Sequence, residues 1–455
     1  MMVFSSLNKE DRYLTIMPSI NSYLTDILVA QKRGQAQGIY ANCSANQFVI
    51  EAGVKHALRD GSVLLVESTS NQVDQYGGYI GMTPRQFAQY VRGIALSLGL
   101  SPERIILGGD HLGPNVWQNE PAASAMAKAR VLVQECVLAG YGKIHLDASM
   151  KCGDDAPDTP LAKTTIAERA ADLCLAAEQA YHQVQSLFPK PVYVIGSEVP
   201  LPGGAHAKEA RISVTKLEDA EEIITITKNA FTKRGLEAAW KRVIALVVQP
   251  GVEFGDDFVL EYDPVQASAL SGFIKSYERL VFEAHSTDYQ RREALRKMVA
   301  DHFAILKVGP ALTFAFREAV FALALMEKEW LVVKSSVSLS NIIETLDSVM
   351  LDNPVHWKEH YTGTEEYLCY ARRYSYSDRA RYYWSMPELQ KAMEILLNNL
   401  EKNPVPIMLL SQFMPVQYER VREGLLGLSP RELIHDKIAS VLADYAYACG
   451  MGGAV

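Results

Sequence analysis

Polar and charged side chains lie at the ends of eight short apolar runs that recur along the chain. The runs are GIYANCS (38–44), VLLVEST (63–69), RIILGGDH (104–111), KIHLDAS (143–149), YVIGSEV (193–199), VIALVVQPG (243–251), RLVFEAHS (279–286) and FAILKVG (303–309). The groups at or just after these ends include carboxylates, imidazoles, amides and one amine: Cys43, Glu67, Asn71, Asp110, His111, Asp147, Ser149, Glu198, Gln249, His285 and Lys307. Charged groups on buried strands are costly unless they are paired or bound to a metal ion. The pattern therefore predicts one site for metal binding and proton transfer.

Two histidines and a glutamate in this set can bind a metal ion. His111, His285 and Glu198 would supply the nitrogen and oxygen ligands that catalytic Zn²⁺ or a similar divalent ion prefers. For each histidine alone, a structural role in which a hydrogen bond satisfies the imidazole is equally compatible with the sequence. His145 lies in the middle of its run, where it could face the surrounding helices, and it is left out of the predicted site.

The other carboxylates and the lysine are candidates for catalysis. Asp110 could orient the neighbouring His111, or it could move the proton of a substrate hydroxyl. Glu67 and Asp147 could act in catalysis or could instead be hydrogen-bonded to neighbouring loops, and the residues alone do not decide. Lys307 ends the eighth run, where its positive charge could stabilise a developing anion.

Hydroxyls, a glycine and two arginines suggest anion-binding positions. Ser286 and Thr287 follow the seventh run, and Gly309, Pro310 and Thr313 follow the eighth, where a helix N-terminus could bind phosphate. Ordinary helix capping is an equal alternative. Arg379 and Arg381 in SDRARYYW could bind a second anion through their guanidinium groups, or they could stack on the adjacent aromatic rings. Cys43, Asn71 and Ser149 are further candidates for contact with a substrate.

Amphipathic helical patterns separate the apolar runs. Strand–helix alternation predicts a parallel sheet, and eight units in about 290 residues match the size of a (β/α)₈ TIM barrel, an α/β fold. In such barrels the carboxyl ends of the strands meet at one mouth, which would bring the polar residues together. The alternative is an open doubly wound sheet, but ANCSANQF after the first run lacks the glycine-rich turn typical of nucleotide binding.

The alternation stops at about residue 335. We predict a barrel over residues 20–330 and a C-terminal helical region over 335–455, with patterns such as ELQKAMEILLNNLEKN and PRELIHDKIASVLADYAYA. This region would pack on the barrel or make contacts between copies in a homo-oligomer.

Composition narrows the class of protein. The 455 residues are 48% hydrophobic and 22% charged with a net charge of −8, which gives no basic field for nucleic acid. No run of 18 apolar residues predicts a membrane helix, and the first residues lack the pattern of a signal peptide. Six cysteines without a CxxC pair indicate free thiols in a reducing compartment, so we expect a cytoplasmic protein.

Long motifs at the predicted strand ends resemble a known family. They are ESTSNQVDQYGGYIGMTP, GGDHLGPNVWQ, KIHLDASM, YVIGSEVPLPGG, VVQPGVEF, FEAHSTDYQ and FAILKVGPALTFAFREA, together with YSYSDRARYYW in the C-terminal region. They resemble the Z subunits of class II tagatose-bisphosphate aldolases, a family that also carries the label tagatose 6-phosphate kinase. No P-loop or comparable phosphate-binding glycine motif accompanies that label.

The family is distantly similar to class II aldolases, which are zinc barrels. The resemblance implies that Asp110 is the acid/base, that His111 and His285 are metal ligands, and that LKVGPALT binds phosphate. The sequence departs from the aldolases on the sixth strand, where Gln249 replaces a further ligand histidine. Either Gln249 or Glu198 would then complete the coordination of Zn²⁺, with Mn²⁺ or Mg²⁺ as alternatives.

Two functions are compatible with this resemblance. The first is a ketose-phosphate 4-epimerase that interconverts D-tagatose 6-phosphate and D-fructose 6-phosphate by a metal-assisted retro-aldol route. The second is a helper subunit that stabilises a Y-type aldolase partner without chemistry of its own. A free sugar or a bisphosphate in the same pocket is a third possibility. The convergence of Asp110, His111, Glu198, His285 and Lys307 favours the enzyme.

Overall fold

A computed structural model describes residues 20–196 and 212–451, with side chains from residue 23 onward. The eight predicted apolar runs form strands β1 (Ile39–Asn42), β2 (Leu64–Thr69), β3 (Ile105–Leu112), β4 (Lys143–Leu146), β5 (Val192–Gly196), β6 (Val243–Val247), β7 (Val281–Ala284) and β8 (Phe303–Val308). Every strand pairs in parallel with two neighbours, and the order β1-β8-β7-β6-β5-β4-β3-β2 closes into a barrel. The predicted TIM barrel is confirmed, and the alternative of an open sheet is wrong because β1 pairs with β8.

Helices alternate with these strands along the chain. They are α1 (Ile20–Lys32), α2 (Gln47–Asp60), α3 (Pro84–Ser97), α4 (Ala122–Leu138), α5 (Lys163–Val184), α6 (Leu217–Lys233), α7 (Glu237–Trp240), α8 (Pro264–Ile274), α9 (Arg292–Ala300) and α10 (Pro310–Leu331). Thr83 caps α3 together with Gln86, and Pro84 occupies its first turn. A short hairpin that pairs Glu253–Phe254 with Val259–Leu260 follows β6 and was not predicted.

The C-terminal region is helical, as predicted. Its helices are α11 (Ile342–Asp352), α12 (Glu365–Tyr374), α13 (Pro387–Lys402), α14 (Ile407–Phe413), α15 (Pro415–Arg422) and α16 (Pro430–Ala448). Helix α16 packs against α2, α9 and α10 of the barrel, and its Tyr445 hydroxyl donates a hydrogen bond to Thr287 O at 2.7 Å. Buried apolar residues of both regions form one core. The division at about residue 335 therefore stays a prediction based on the change of pattern.

The strands are buried on both faces. All eight residues of β3 are buried, including its charged ones, and β4, β5, β6, β7 and β8 are buried throughout. This explains why they are recognisable as nearly continuous apolar runs. Within the described residues, no helix is long and apolar enough to cross a membrane.

Gly113 lets the segment after β3 approach β4. A Cβ atom at this position would lie 1.6 Å from Asp147 O, which is far inside van der Waals contact. We expect Gly113→Ala to lower the free energy of unfolding by about 1–3 kcal/mol, because the backbone around Asp147 must move. Urea unfolding monitored by circular dichroism measures this loss.

Gly93→Ala is the matched control. Gly93 lies in the interior of α3, and a Cβ atom there would have no neighbour within 4 Å. Alanine at this helical position should raise the free energy of unfolding by up to about 1 kcal/mol. Equal stabilities of the Gly113 variant and the unchanged protein would show that the contact with β4 is not tight.

Candidate functional site

Alternate residues of β4 and β7 point into the barrel and meet the ends of the other strands. On β4 and just beyond it, Lys143, His145 and Asp147 are spaced two residues apart, and they are at most 3% exposed. Glu283 and His285 have the same spacing at the end of β7 and are at most 4% exposed. Side chains two residues apart on a strand share a face. The pleat therefore directs five ionisable groups from two strands into the interior of the barrel, at and beneath its mouth.

Two lysines form a buried ionic cluster beneath the mouth. Lys143 Nζ lies 2.7 Å from Glu67 Oε1 and 2.6 Å from Glu283 Oε2, and all three side chains are fully buried. Lys307 Nζ contacts Glu67 Oε2 and lies 3.0 Å from Asp110 Oδ2. Since a Cβ atom at position 108 would come within 2.8 Å of Glu67, the absence of a side chain at Gly108 makes room for this carboxylate.

Three imidazoles lie next to one another above this cluster. The ring centroids of His111, His145 and His285 are 4.9–5.3 Å apart. Each ring is paired with a different carboxylate: His111 Nδ1 with Asp147 Oδ2 at 2.9 Å, His145 Nδ1 with Asp110 Oδ1 at 2.9 Å, and His285 Nε2 with Glu283 Oε1 at 3.0 Å. Carboxylates that bind a ring nitrogen in this way fix the orientation of metal-ligating histidines.

The backbone at two strand ends is strained. His111 has φ 49° and Ser286 has φ 52°, in the left-handed region that residues other than glycine rarely adopt. The pairing of β3 with β4 also shifts in register between Gly109 and Leu112, so Asp110 and His111 lie within an irregularity of the strand. Such irregularities redirect side chains beside functional sites.

Several ligand atoms lie close enough together to hold a metal ion. One atom each from Asp110, His145, Glu283 and His285 lies within 4.8 Å of the others. His145 Nδ1 lies 2.9 Å from Asp110 Oδ1 and 3.2 Å from His111 N, and these contacts do not involve the other ring nitrogen, Nε2. No described residue hydrogen-bonds that Nε2, although His145 is 0% exposed. A buried nitrogen without a partner is costly, and a metal ion would satisfy it.

Charge balance also fits a divalent cation. The carboxylates of Glu67, Asp110, Asp147 and Glu283 outnumber the amines of Lys143 and Lys307 by two. Either protonated histidines or one divalent ion can balance the excess. Nitrogen and oxygen donors together suit Zn²⁺. The residues present therefore fit the predicted metal ion.

The ionisation of Asp110 and His111 follows from their surroundings. Burial opposes the charge on Asp110, but positive charge on His111 and His285 and the hydrogen bond from His145 outweigh it and hold the pKa of Asp110 well below its usual value. Burial likewise opposes the charge on His111, but Asp110 and Asp147 raise its pKa to about 9. Asp110 is therefore a charged carboxylate at neutral pH.

The cluster opens into two adjoining cavities. The inner chamber, about 90 Å³, is lined by Cys43, Thr69, Asn71, Gln72, Tyr79, Asp110, His111, Phe254, His285, Ser286, Asp288, Lys307, Val308, Gly309, Pro310, Arg381 and Tyr382. The outer chamber, about 530 Å³, lies between the barrel mouth and the C-terminal region. The two share six lining residues: Cys43, Gln72, Tyr79, Gly309, Pro310 and Arg381. A small polar molecule could therefore reach the ionic cluster from the outer chamber.

The structure brings together many of the residues predicted from the sequence. Those lining the inner chamber are Cys43, Asn71, Asp110, His111, His285, Ser286, Lys307, Gly309 and Arg381. Glu67 lies below it in the ionic cluster, and Asp147 orients His111. Glu198 lies outside the described residues.

The side chain of Gln249 is hydrogen-bonded within its own loop. Its Oε1 accepts hydrogen bonds from Gly251 N at 2.8 Å and Val252 N at 3.1 Å, so it closes the loop after β6. The predicted role of Gln249 as a ligand is therefore corrected to a structural one.

Much of the predicted phosphate site is occupied by the protein itself. Asp288 Oδ1 accepts hydrogen bonds from Gly309 N at 3.0 Å and Ala311 N at 2.8 Å, so a carboxylate caps helix α10. Thr287 is fully buried and its hydroxyl donates to Lys307 O. These contacts correct the prediction that Thr287 and the amide of Gly309 bind phosphate, because a second anion at this helix end would be repelled.

Three further predicted binding residues have partners within the protein. Thr313 Oγ1 donates to Asp378 Oδ2 at 2.6 Å, and Ser149 Oγ donates to Asp147 Oδ1 at 2.6 Å. Arg379 donates to His360 Nδ1 at 2.7 Å and to the Tyr382 hydroxyl at 3.4 Å. We therefore assign Ser149, Thr313 and Arg379 positioning roles rather than contact with a phosphate.

Four further residues of the site, Lys143, His145, Glu283 and Asp288, were not predicted from the sequence. The first three lie within apolar runs, where the orientation of a side chain depends on the pleat. Their spacing from Asp147 and His285 is the signal that could have found them, because alternate residues on a strand face the same way. Asp288 lies beyond β7, and its role as the cap of α10 arises only from tertiary packing.

Several solved structures are similar to this chain to different degrees. The crystal structure of a probable tagatose 6-phosphate kinase from Sinorhizobium meliloti 1021 has 42% sequence identity and a TM-score of 0.82, and covers 91% of this chain and 100% of that chain. The YdjI aldolase from Escherichia coli K12 is more distant, with 10% identity, a TM-score of 0.39, and coverage of 84% and 97%. The fructose-bisphosphate aldolase Fba from Campylobacter jejuni has 13% identity, a TM-score of 0.38, and coverage of 85% and 94%.

The sequence model for the D-tagatose-1,6-bisphosphate aldolase subunit GatZ/KbaZ-like family matches residues 24–450. This match covers nearly the whole chain and includes both the barrel and the C-terminal helices. The chain therefore belongs to the GatZ/KbaZ-like family of D-tagatose-1,6-bisphosphate aldolase subunits.

Proposed function

We propose that the chain is a metal-dependent ketose-phosphate 4-epimerase that interconverts D-tagatose 6-phosphate and D-fructose 6-phosphate by a retro-aldol route. The observation that carries this proposal is the buried set of carboxylates, imidazoles and lysines that opens into the inner chamber. Burying so many charges costs stability, so the arrangement is better explained by chemistry than by folding. His145, Glu283 and His285 would hold the divalent ion, with His111 beside them.

The residues of the chain supply the proton transfer and the charge stabilisation. When bound, a divalent ion such as Zn²⁺ supplies Lewis acidity toward the ketose oxygens. The ionised carboxylate of Asp110 accepts the proton of the 4-hydroxyl as the C3–C4 bond breaks. Lys307, 3.0 Å from Asp110, stabilises the negative charge that develops on the three-carbon enediolate fragment. When the aldehyde turns over, renewed C3–C4 bond formation gives the opposite configuration at C4.

A monophosphate substrate agrees best with the charges around the cavities. Asp288 caps the helix end that would otherwise attract phosphate, and Arg379 is turned toward His360 and Tyr382. Arg381 also donates to the Tyr382 hydroxyl at 2.9 Å and to Asp378 O at 3.1 Å, but unlike Arg379 it lines both chambers, so it is the arginine we expect to face the phosphate. A bisphosphate would require a second cationic position.

The test is the conversion of D-tagatose 6-phosphate by purified chain with Zn²⁺, Mn²⁺ or Mg²⁺ added separately. We expect D-fructose 6-phosphate to form, as followed by coupled reduction of NADP⁺ through glucose 6-phosphate. Asp110→Asn, purified in the same way, controls for contaminating enzymes. The epimerase proposal fails if no product forms with any of the three ions.

A second candidate function is suggested by the family description, which names an aldolase subunit. In this case the chain would bind and stabilise a Y-type D-tagatose-1,6-bisphosphate aldolase subunit. Copurification with such a subunit and an increase of its aldolase activity would support the helper. Asp110→Asn separates the two candidates, because a helper without chemistry should activate its partner equally well with either residue.

A further inference from the structure

Tyr382, a residue of the C-terminal region, lines the inner chamber. It ends the short helical turn Arg379–Tyr382 and lines the chamber together with Asp110, His285 and Lys307. These other three residues belong to the barrel strands or follow them directly. The C-terminal region therefore contributes Tyr382, beside Arg381, to a chamber whose other lining residues come from the barrel.

The contacts of Tyr382 fix its ring and polarise its hydroxyl. The ring stacks on His356, with centroids 4.7 Å apart and planes at 16°, and meets the edge of Tyr79 at 4.7 Å. The hydroxyl accepts hydrogen bonds from Arg381 at 2.9 Å and Arg379 at 3.4 Å.

The charge around the hydroxyl favours its ionised form. Burial opposes ionisation, but the charges of Arg381 and Arg379 outweigh it and lower the pKa of Tyr382. Both arginines donate to the oxygen, so the phenolic proton remains available to a molecule in the chamber. Such a group can both release a proton and take it back.

Inversion at C4 requires proton transfer at two positions. When the C3–C4 bond breaks, the 4-oxygen becomes the aldehyde oxygen and lies on one side of the broken bond. After the aldehyde turns, this oxygen lies on the other side, where it must be protonated. Asp110 is held by Lys307 and His145 at 3.0 and 2.9 Å, so it cannot follow the oxygen. A second proton-transfer group at another position of the chamber wall is therefore needed.

We propose that Tyr382 is this second catalytic residue and serves the C4 epimer whose 4-hydroxyl Asp110 does not reach. The inference rests on the proposed 4-epimerase function. In one direction, Asp110 takes the 4-hydroxyl proton, the O–H electron pair forms the C4 carbonyl, and the C3–C4 pair passes to the enediolate. After the aldehyde turns, C3 attacks C4 and the carbonyl oxygen takes the proton of Tyr382. The proton on Asp110 then returns to the phenolate through water, and the reverse reaction exchanges the two roles.

Tyr382→Phe tests this role, since phenylalanine keeps the ring contacts and removes only the hydroxyl. Two quantities are measured: the rate of epimerisation and the rate of C3–C4 cleavage of each epimer. For the cleavage rate, single turnovers are quenched with acid, and the bound triose that the acid releases is quantified. We expect epimerisation to fall by about 100-fold or more, with a similar loss of cleavage for one epimer. The rate of cleavage of the other epimer should stay within about threefold of that of the unchanged protein, a change much smaller than the loss of a general acid or base causes.

A merely structural role would slow the cleavage of both epimers equally, and this result would overturn the proposal, as would unchanged epimerisation. Tyr383→Phe is the matched control, because the Tyr383 hydroxyl donates to Asn353 O and lines neither chamber. This control should retain epimerisation. Failure of the proposed function itself is distinguishable, because the unchanged protein would then produce no epimer from either substrate, and the role of Tyr382 would fall with it.

Discussion

Replacing His145 with alanine is expected to lower the affinity of the chain for Zn²⁺ by more than about 100-fold, since changes to residues that only orient ligands already cost roughly 10–100-fold. His145 is fully buried, and its contacts with Asp110 Oδ1 and His111 N are made through Nδ1 and leave Nε2 unengaged. No other described residue hydrogen-bonds this Nε2. Calorimetric titration of the chelator-treated protein with Zn²⁺ measures the change.

His302→Ala is the matched control for this prediction. His302 is also buried, but it immediately precedes β8, at the opposite end of the barrel, and its Nδ1 is paired with Gln31 Oε1 at 2.7 Å. Its loss should leave the Zn²⁺ affinity unchanged even if the fold becomes less stable. If the His145 variant bound Zn²⁺ as tightly as the unchanged protein, the ion would have to be held elsewhere, for instance by Cys43, Glu67 and Asp110, which form a second close group.

The barrel could be predicted from the sequence because its strands are buried on both faces. Such strands are continuous apolar runs, and their polar residues are concentrated at the ends that face the mouth. Asp110, His111, His285 and Lys307 were found in this way, and the structure places all four around the inner chamber. Chain order and burial alone were sufficient for this part of the site.

The deeper part of the site could not be predicted with the same argument. Lys143 and Glu283 lie inside apolar runs. A charged residue in such a run indicates a site only when it is known which side chains of the strand point into the barrel. Gln249 was expected to bind metal by analogy with a histidine, but its oxygen bonds the backbone of its own loop. Tyr382 comes from a region without strand–helix alternation, so only the folded chain shows that it reaches the chamber.

Lys143→Met is expected to lower the free energy of unfolding by about 3–5 kcal/mol, the range for removing one partner of a buried ion pair. Lys143 is fully buried and lies within 2.7 Å of both Glu67 and Glu283. Without it, the only lysine left to these carboxylates would be Lys307, which contacts Glu67 but lies 4.0 Å from Glu283. Methionine has a similar length and keeps the apolar contacts of the stem. Urea unfolding gives the loss as a lower midpoint at an unchanged slope.

Lys190→Met controls for the chemical change alone. Lys190 is exposed in the segment before β5, so its replacement should alter the free energy of unfolding by no more than about 0.5 kcal/mol. If Lys143→Met also changed the free energy of unfolding by no more than about 0.5 kcal/mol, this result would contradict a stabilising role of Lys143 in the ionic cluster.

The double variant Lys143→Met with Glu67→Gln shows what the lysine contributes. If Lys143 stabilises the fold by neutralising Glu67, removing both charges should cost less than the sum of the two single losses, with a coupling of about 0.5–3 kcal/mol between residues in contact. Glu283 would still be buried beside His285, so the rescue should be incomplete. Simple additivity would mean that the two side chains act independently, and the four carboxylates beneath the mouth would then have to be balanced mainly by Lys307, the histidines and a bound cation.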